Sequence, residues 1–235
     1  MGQRRNPSTQ KKSSNTRSIY FNVDGIEPVE GYVVWIDMMG AASIMKRSLK
    51  MSMNFIGRIH IAALLCKKHN KIDLYPVMDG FYVYCKDEDT VKKFIDCVFE
   101  KIFNYFKNSK LENRFLLRGS IAYGKVYKGN NITSKNNHML GTNDYKNSLL
   151  VGMPVIQAYE TERLAPPFGV YVHESARFAG DFPFTWYRWF KNNNYNCYWV
   201  EIKKYFEWSA KIPNMLDYPK EKIEEHRSLA KEFFN

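Results

Sequence analysis

The sequence is poor in cysteine and has no long apolar run. Its four cysteines, at positions 66, 85, 97 and 197, form no CxxC pair and have no zinc-type spacing with histidine. We therefore expect reduced thiols in a cytoplasmic protein. The longest apolar stretches, such as Tyr32–Met39, are far shorter than the roughly 20 residues that a membrane-spanning helix requires. These absences argue against a disulfide-rich secreted domain, a zinc domain and a transmembrane protein.

What is present is enough apolar material for one sizeable core and a surplus of positive charge. The chain has 235 residues, of which 45% are hydrophobic, and its net charge is +11. Residues 1–18 mix Lys and Arg with small polar residues and are expected to form a flexible basic tail. We assign residues 19–205 to one catalytic domain and 206–235 to a C-terminal helical extension. The positive charge suits an anionic ligand, either a nucleotide or a nucleic acid.

The first half of the chain alternates strand and helix signals. Gly31–Asp37 is rich in β-branched and aromatic residues and predicts a strand, and apolar residues at helical spacing predict a helix from Ala41 to about His69. Two further strands, Ile72–Met78 and Phe81–Tyr84, flank Asp79-Gly80, a dipeptide typical of a two-residue hairpin turn.

A helix from Asp87 to about Lys107 and a strand over Arg114–Gly124 complete the order β-α-β-β-α-β. That order is typical of a ferredoxin-like α+β sheet. The rest of the chain is interpreted as a polar loop over 129–147, a helix over 154–163, strands over 169–173 and 197–202, and a charged helix from Pro219.

The candidate chemistry lies on Asp37 and Asp79. In a βαββ unit the first strand and the hairpin are neighbours, so both carboxylates are expected at the same edge of the sheet. Mg²⁺ is usually held by one or two carboxylates together with substrate phosphates. Either aspartate alone could equally be an ordinary turn residue. The turn Met38-Met39-Gly40-Ala41-Ala42-Ser43 is rich in small residues and leads into a helix N-terminus, where free backbone N–H groups could bind phosphate.

Two motifs around these aspartates resemble those of a known family. Tyr32-Val-Val-Trp-Ile-Asp-Met-Met-Gly40 is similar to the first metal motif of the class III nucleotidyl cyclases, and Val77-Met-Asp-Gly-Phe-Tyr-Val-Tyr84 is similar to their second. Arg118–Gly124, Gly152–Glu160 and Pro167–Val172 resemble the elements that follow, so the likeness covers about residues 30 to 175 in the family's order.

The resemblance implies a class III cyclase catalytic domain that depends on Mg²⁺ or Mn²⁺. Asp37, Asp79 and the Met38 carbonyl would hold two ions, and Met39, Gly40 and Ala41 would bind the nucleotide. The 3′-hydroxyl of a nucleoside triphosphate would then attack its own α-phosphate and release pyrophosphate. In this family the active sites usually lie at a homodimer interface.

Several positions depart from the purine cyclases. Tyr75 stands where they have a base-reading Lys or Glu, and Leu149 stands where they have a second polar selector. Ile156 and Glu160 replace the Asn and Arg that contact ribose and phosphate. The pattern is most similar to the bacterial pyrimidine cyclases of the Pycsar anti-phage system, which make cyclic UMP or cyclic CMP for a separate effector.

The resemblance therefore implies UTP as the favoured substrate, with CTP as the alternative. Tyr75 would stack on or hydrogen-bond to the pyrimidine, and Arg118 or Arg163 would stabilise the charge that develops on the transferring phosphoryl group. Two readings compete with an active cyclase. One is a non-catalytic nucleic-acid-binding module on a ferredoxin-like sheet, although no RNP1 pattern is present. The other is a catalytically inactive homologue. We expect neither a membrane nor a nucleic-acid partner.

Overall fold

The computed structural model describes residues 26–67, 71–131, 143–176, 185–190, 196–212 and 218–234. The predicted basic tail, residues 1–18, lies outside the described residues. The strands are β1 (Val29–Met39), β2 (Ile72–Val77), β3 (Gly80–Cys85), β4 (Leu116–Lys128), β5 (Leu150–Val151), β6 (Val170–Val172) and β7 (Trp186–Tyr187). The helices are α1 (Ala41–Arg47), α2 (Leu49–Cys66), α3 (Glu88–Asn108), α4 (Asn143–Ser148), α5 (Met153–Thr161), α6 (Asn196–Ser209) and α7 (Lys220–Phe233).

The described strands form a mixed sheet in the order β2-β3-β1-β4-β6-β7, with β5 paired to β4. β4 and β6 are parallel, and the other pairs are antiparallel. The elements from β1 to β4 follow the predicted β-α-β-β-α-β order, with α1 and α2 together in the place of the first helix and with β1 between β3 and β4 in the sheet. The predicted ferredoxin-like α+β fold is confirmed.

The two faces of the sheet carry clusters of different size. Alternate β1 residues from Tyr32 to Met38 enter the large core, which α2, α3, α6 and α7 cover. Val33 and Trp35 point to the opposite face, where a smaller cluster packs under Ala158 of α5. Asp37 continues this second alternation and so lies on the α5 face.

Two local predictions differ from the structure near β1. The predicted helix 41–69 is two helices, because Ser48 is extended (φ −158°) and its side chain accepts a hydrogen bond from the Met51 N–H at 3.2 Å as the N-cap of α2. The hairpin turn is Met78-Asp79 rather than Asp79-Gly80, since Val77 pairs with Gly80 and the positive φ (47°) belongs to Met78.

The prediction of a strand over 197–202 is wrong. These residues belong to α6, because Ile202, Tyr205, Phe206 and Ser209 are buried at helical spacing. Position 205, the predicted domain boundary, therefore falls inside a helix. Part of the predicted 129–147 loop is α4, and residues 132–142 lie outside the described part of the chain.

The expectation of four reduced thiols is also wrong. The structure joins Cys66 at the end of α2 to Cys97 of α3 as a disulfide, with Cα atoms 5.8 Å apart. The pair arises from the packing of two helices far apart in sequence, so spacing rules could not find it. Cys85 and Cys197 are free thiols.

Within the described ranges, no helix is both long and apolar enough to cross a bilayer.

Candidate active site

The sheet register brings the predicted metal ligands together. Asp37 of β1 is directly opposite Gly80 of β3 on one side and Arg118 of β4 on the other. Opposite residues of antiparallel strands project to the same face, so the Asp37 and Arg118 side chains are neighbours. Asp79 immediately precedes Gly80 in the hairpin turn. The structure therefore places both aspartates and Arg118 at one edge of the sheet.

Gly80 allows the hairpin to approach β1 closely. A Cβ atom at this position would lie 2.5 Å from the Ile36 carbonyl oxygen and 2.8 Å from the Trp35 ring, and neither backbone nor indole can move away easily. The glycine of the Asp-Gly pair is thus required for packing against β1 rather than for the turn conformation. Its absence of a side chain holds Asp79 near Asp37.

Asp37 is in an environment that disfavours its negative charge. Burial raises the pKa of its carboxyl to about 8, with further increases from the charges of Asp79 and Glu162. The Met38 N–H, which donates to Asp37 Oδ1 at 2.8 Å, and the Arg118 guanidinium act in the opposite direction. Without a cation, Asp37 is therefore a partly protonated carboxyl at neutral pH.

Arg118 is held by a residue that sequence reasoning missed. Its Nε donates to Glu162 Oε1, and the two side chains are only 13% and 9% exposed. Glu162 lies in a 3-10 turn just after α5, which brings it over the sheet face that carries Asp37. The sequence signal was indirect, since an arginine within an apolar strand requires an anion, but the identity of that anion depends on the tertiary fold.

The second candidate arginine has a different position. Arg163 is exposed, and its Nε donates to the Glu160 carbonyl at 3.3 Å. Of the two arginines considered, the structure brings Arg118 to the aspartate pair and leaves Arg163 on the surface.

Tyr75 lies on the same sheet face as Asp37, in the row of cross-strand neighbours that contains Trp35, two residues before Asp37 on β1. It pairs with Tyr82, which pairs in turn with Trp35, and the Trp35 and Tyr82 rings are 4.4 Å apart. Tyr75 is 5% exposed, and burial raises the pKa of its hydroxyl. The residue is therefore part of an aromatic row beside the carboxylates, packed into the smaller core.

The turn after β1 presents backbone rather than side chains. Gly40 has a positive φ of 75°, and the side chains of Met38, Met39 and Ala41 are buried in the main core. Only main-chain atoms of this turn can contact a ligand.

The start of the C-terminal segment also reaches this edge. Burial raises the pKa of the Tyr218 hydroxyl, while the Arg118 guanidinium and a hydrogen bond with the Gly40 backbone lower it. Sequence reasoning assigned this region to a separate extension, and no motif marks Tyr218 as part of a site.

The donor set fits a hard divalent cation. Two carboxylates near each other, one of them with a raised pKa, form an arrangement that a cation stabilises by removing both repulsion and protonation. In the part of the chain that the structure describes, no cluster of three or more His, Cys, Asp and Glu side chains is placed to hold a metal. Asp37, Asp79 and the Met38 carbonyl would then leave coordination positions for phosphate oxygens.

Two of the positions that depart from the purine cyclases, Ile156 and Glu160, lie on α5. Ile156 is 49% exposed on this helix, and its neighbours Met153 and Tyr159 are 62% and 61% exposed. α5 therefore shows solvent an apolar face, while Ala158 packs against the sheet.

No protein-family model matches the chain, and no curated protein matches it. Several solved structures are similar to the chain. A bacterial light-regulated adenylyl cyclase is similar over 66% of this chain and 47% of its own, with a TM-score of 0.52 and 14% identity. A second structure described in the same words is similar over 65% of this chain and 45% of its own, with a TM-score of 0.51 and 13% identity. A third similar structure is the monomeric guanylyl cyclase domain of the RhoGC fusion protein from the aquatic fungus Blastocladiella emersonii. The similarity covers 64% of this chain and 85% of that domain, with a TM-score of 0.48 and 17% identity.

The chain spans less than half the length of the two bacterial proteins, and the identities are low, so this likeness concerns the fold. The sheet with Asp37 at the end of β1 and Asp79 at the β2–β3 turn accordingly has the fold of a class III nucleotidyl cyclase catalytic domain.

Proposed function

We propose that this protein is a nucleotide cyclase that converts UTP to 3′,5′-cyclic UMP and pyrophosphate. The observation that carries the proposal is that Asp37 lies opposite Arg118 and Gly80, with Asp79 next to Gly80 in the turn, within the fold of a cyclase catalytic domain. Asp37 and Asp79 are both partly exposed, and burial raises the pKa of Asp37, with a further increase from the charge of Asp79. Such an environment is costly for a carboxyl in a purely structural turn, whereas it suits a metal–triphosphate complex.

In this proposal each group at the edge has one role. Asp37, Asp79 and the Met38 carbonyl hold Mg²⁺ or Mn²⁺, which supplies charge neutralisation of the triphosphate and activation of the 3′-hydroxyl. The main-chain N–H groups of Met39-Gly40-Ala41 bind phosphate oxygens.

Arg118 stabilises the negative charge that develops during transfer, because a fixed cation in a partly buried site acts more strongly than one in water. The 3′-oxygen forms a bond to the α-phosphorus, the bond from that phosphorus to the bridging oxygen of the β-phosphate breaks, and the hydroxyl proton is released as pyrophosphate leaves.

The choice of a pyrimidine rests on Tyr75 and Leu149. Neither side chain carries the charge or the amide group that a purine-reading position would use, and Tyr75 lies in an aromatic row beside Asp37. UTP rather than CTP, a role in anti-phage signalling through a separate effector and a cytoplasmic location follow from the resemblance to the Pycsar cyclases.

We further propose a homodimer. The exposed apolar side chains of Met153, Ile156 and Tyr159 on α5 support this assembly, because a contiguous apolar helix face is characteristic of a surface covered by a partner.

The test is incubation of the full chain with ATP, GTP, UTP or CTP in Mn²⁺, with products identified by mass spectrometry. We expect cyclic UMP and pyrophosphate from UTP. Cyclic CMP as the main product would favour the cytidylate alternative, and only cyclic AMP or cyclic GMP would refute the pyrimidine assignment. Absence of a cyclic product from all four nucleotides would refute the cyclase.

A further inference from the structure

The Cys66–Cys97 disulfide lies in the wall of a surface cavity of about 460 Å³. Cys66 is the last residue of α2 and Cys97 lies near the middle of α3, so the bond forms part of the seam between these two helices. The rest of the lining comes from the start of β2 and from α3, namely Lys71, Ile72, Thr90, Lys93 and Phe94. A cavity of this size is large enough for a small-molecule ligand.

The two cysteines of the disulfide differ in exposure. Cys66 is 6% exposed, whereas Cys97 is only partly buried where it packs against the main core. Thr90, Lys93 and Cys97 share one face of α3, because spacings of three and four residues place them on successive turns. A molecule in the cavity therefore reaches the sulfur of Cys97 more readily than that of Cys66.

The cavity wall is positively charged. Lys71 and Lys93 are both exposed. Asp87 is the N-cap of α3, and its side chain accepts a hydrogen bond from the Thr90 N–H at 2.8 Å. Hydrogen bonds from Thr90, followed by the charges of the two lysines, lower the pKa of the Asp87 carboxyl, so both ammonium groups act at this end of α3. The ammonium groups outnumber this carboxylate, and the wall attracts anions.

These surroundings favour thiol–disulfide exchange. Exchange begins with the attack of a thiolate on a disulfide sulfur, and reactive cysteines lie in partly exposed, positively charged surroundings. We propose that the cavity binds a small anionic thiol and that the Cys66–Cys97 disulfide is the site at which this thiol reacts. Lys71 and Lys93 attract the carboxylates of the thiol, and Cys97 is the residue that becomes modified.

The exchange has two steps. The thiolate of the small thiol attacks the Cys97 sulfur, the bond between the two cysteine sulfurs breaks, and Cys66 leaves as a thiolate. A second small thiolate then attacks the sulfur of the bound thiol, which releases Cys97 as a thiolate and forms the disulfide of the small thiol. Two electrons pass from the small thiols to the protein disulfide, and the protons that these thiols lost are taken up by the Cys66 and Cys97 thiolates.

The experiment uses reduced glutathione as the anionic thiol and 2-mercaptoethanol as the neutral one. The full chain, purified in air, is incubated with either thiol, quenched with acid and alkylated, and peptide mass spectrometry follows Cys66 and Cys97. We expect a glutathione adduct on Cys97 before both cysteines appear as free thiols. The quantity compared between proteins is the rate of exchange with glutathione divided by the rate with 2-mercaptoethanol, so that intrinsic differences between the thiols cancel.

The role of the lysines is tested with the double variant Lys71→Gln, Lys93→Gln. Its rate ratio should be about 3- to 10-fold lower than that of the wild type, as expected for two charge interactions that solvent partly screens. Lys101→Gln is the matched control, because Lys101 is also an exposed lysine of α3 but lies outside the cavity lining. The control should have the wild-type ratio. Added salt provides a measurement that needs no variant, since screening should lower the wild-type ratio.

Three results would overturn the inference. Absence of a linked Cys66–Cys97 peptide from the chain purified in air would show that the disulfide does not form. A disulfide that stays intact in glutathione, whatever 2-mercaptoethanol does, would show that the cavity does not admit the anionic thiol to the sulfur. A rate ratio that changes neither in the double variant nor with added salt would show that Lys71 and Lys93 do not select a negatively charged thiol.

Discussion

The carboxylate edge of the sheet and the C-terminal segment reach the same site by different means. Asp37, Gly80 and Arg118 are fixed by consecutive main-chain pairings of β3, β1 and β4, so the identity of the strands determines which residues meet. Tyr218, just before α7, packs on the main core, and its ring meets His226 of that helix. A ladder constrains its residues to one register, whereas a packed helix can shift. The strand residues are therefore fixed more strictly relative to one another than the residues of the C-terminal segment.

The largest effect is expected from substitution of a carboxylate at the sheet edge. Asp37→Asn should lower turnover of UTP by about 1,000-fold, because a lost metal ligand removes several kcal/mol of transition-state stabilisation. Its stability should not fall, because burial already disfavours the charged form of the Asp37 carboxyl that the variant removes. Asp89→Asn, at an exposed acid in the first turn of α3, is the matched control. Wild-type turnover in Asp37→Asn would remove the residue from the site.

Two ion pairs are expected to differ in how much unfolding free energy is lost when the carboxylate partner is removed. Arg118 has Glu162 as its partner, whereas Arg114 bonds to Glu201 of α6 at 2.9 Å and also donates to the carbonyls of Ser109 and Lys107. Glu162→Gln leaves a buried cation poorly compensated and should cost about 3 kcal/mol of unfolding free energy.

Glu201→Gln should cost about 1 kcal/mol, because the carbonyls retain the Arg114 guanidinium. Urea unfolding of both variants measures the difference. Equal losses would mean that Arg118 depends on Glu162 no more than Arg114 depends on Glu201.

The smallest effect is the pH dependence of the metal-free protein. The folded-state pKa of Asp37 is raised from 3.8 to about 8, so the folded state binds the proton more tightly and stability falls as pH rises through this window. We expect unfolding free energy in EDTA to be about 1 to 2 kcal/mol lower at pH 8 than at pH 5, after allowance for solvent screening, relative to Asp37→Asn. A wild-type profile parallel to that of the variant would contradict the raised pKa.

The same contrast explains what the sequence could predict. Strand alternation and the Asp-Gly hairpin depend on nearby residues, so the β-α-β-β-α-β order and the convergence of Asp37 with Asp79 were predictable. The exact turn was not, because the requirement for Gly80 comes from the neighbouring Ile36 carbonyl and Trp35 ring rather than from the hairpin itself.

The remaining features depend on tertiary contacts. Residues 197–202 contain Tyr, Trp, Val and Ile and favour a strand locally, but burial of Ile202 and Tyr205 against the core stabilises a helix. Glu162 and Tyr218 belong to segments without a motif, and only the packing of α5 and α7 brings them to Arg118. The Cys66–Cys97 disulfide likewise follows from how α2 packs on α3.

Asp37 and Asp79 are proposed to form one metal site, and a measurement of Mn²⁺ binding is the direct test. Electron paramagnetic resonance would measure Mn²⁺ bound by the wild type, Asp37→Asn, Asp79→Asn and Asp89→Asn in the presence of tripolyphosphate. We expect the wild type and Asp89→Asn to bind Mn²⁺ and both site variants to lose it. Wild-type Mn²⁺ binding in either Asp37→Asn or Asp79→Asn would contradict this expectation.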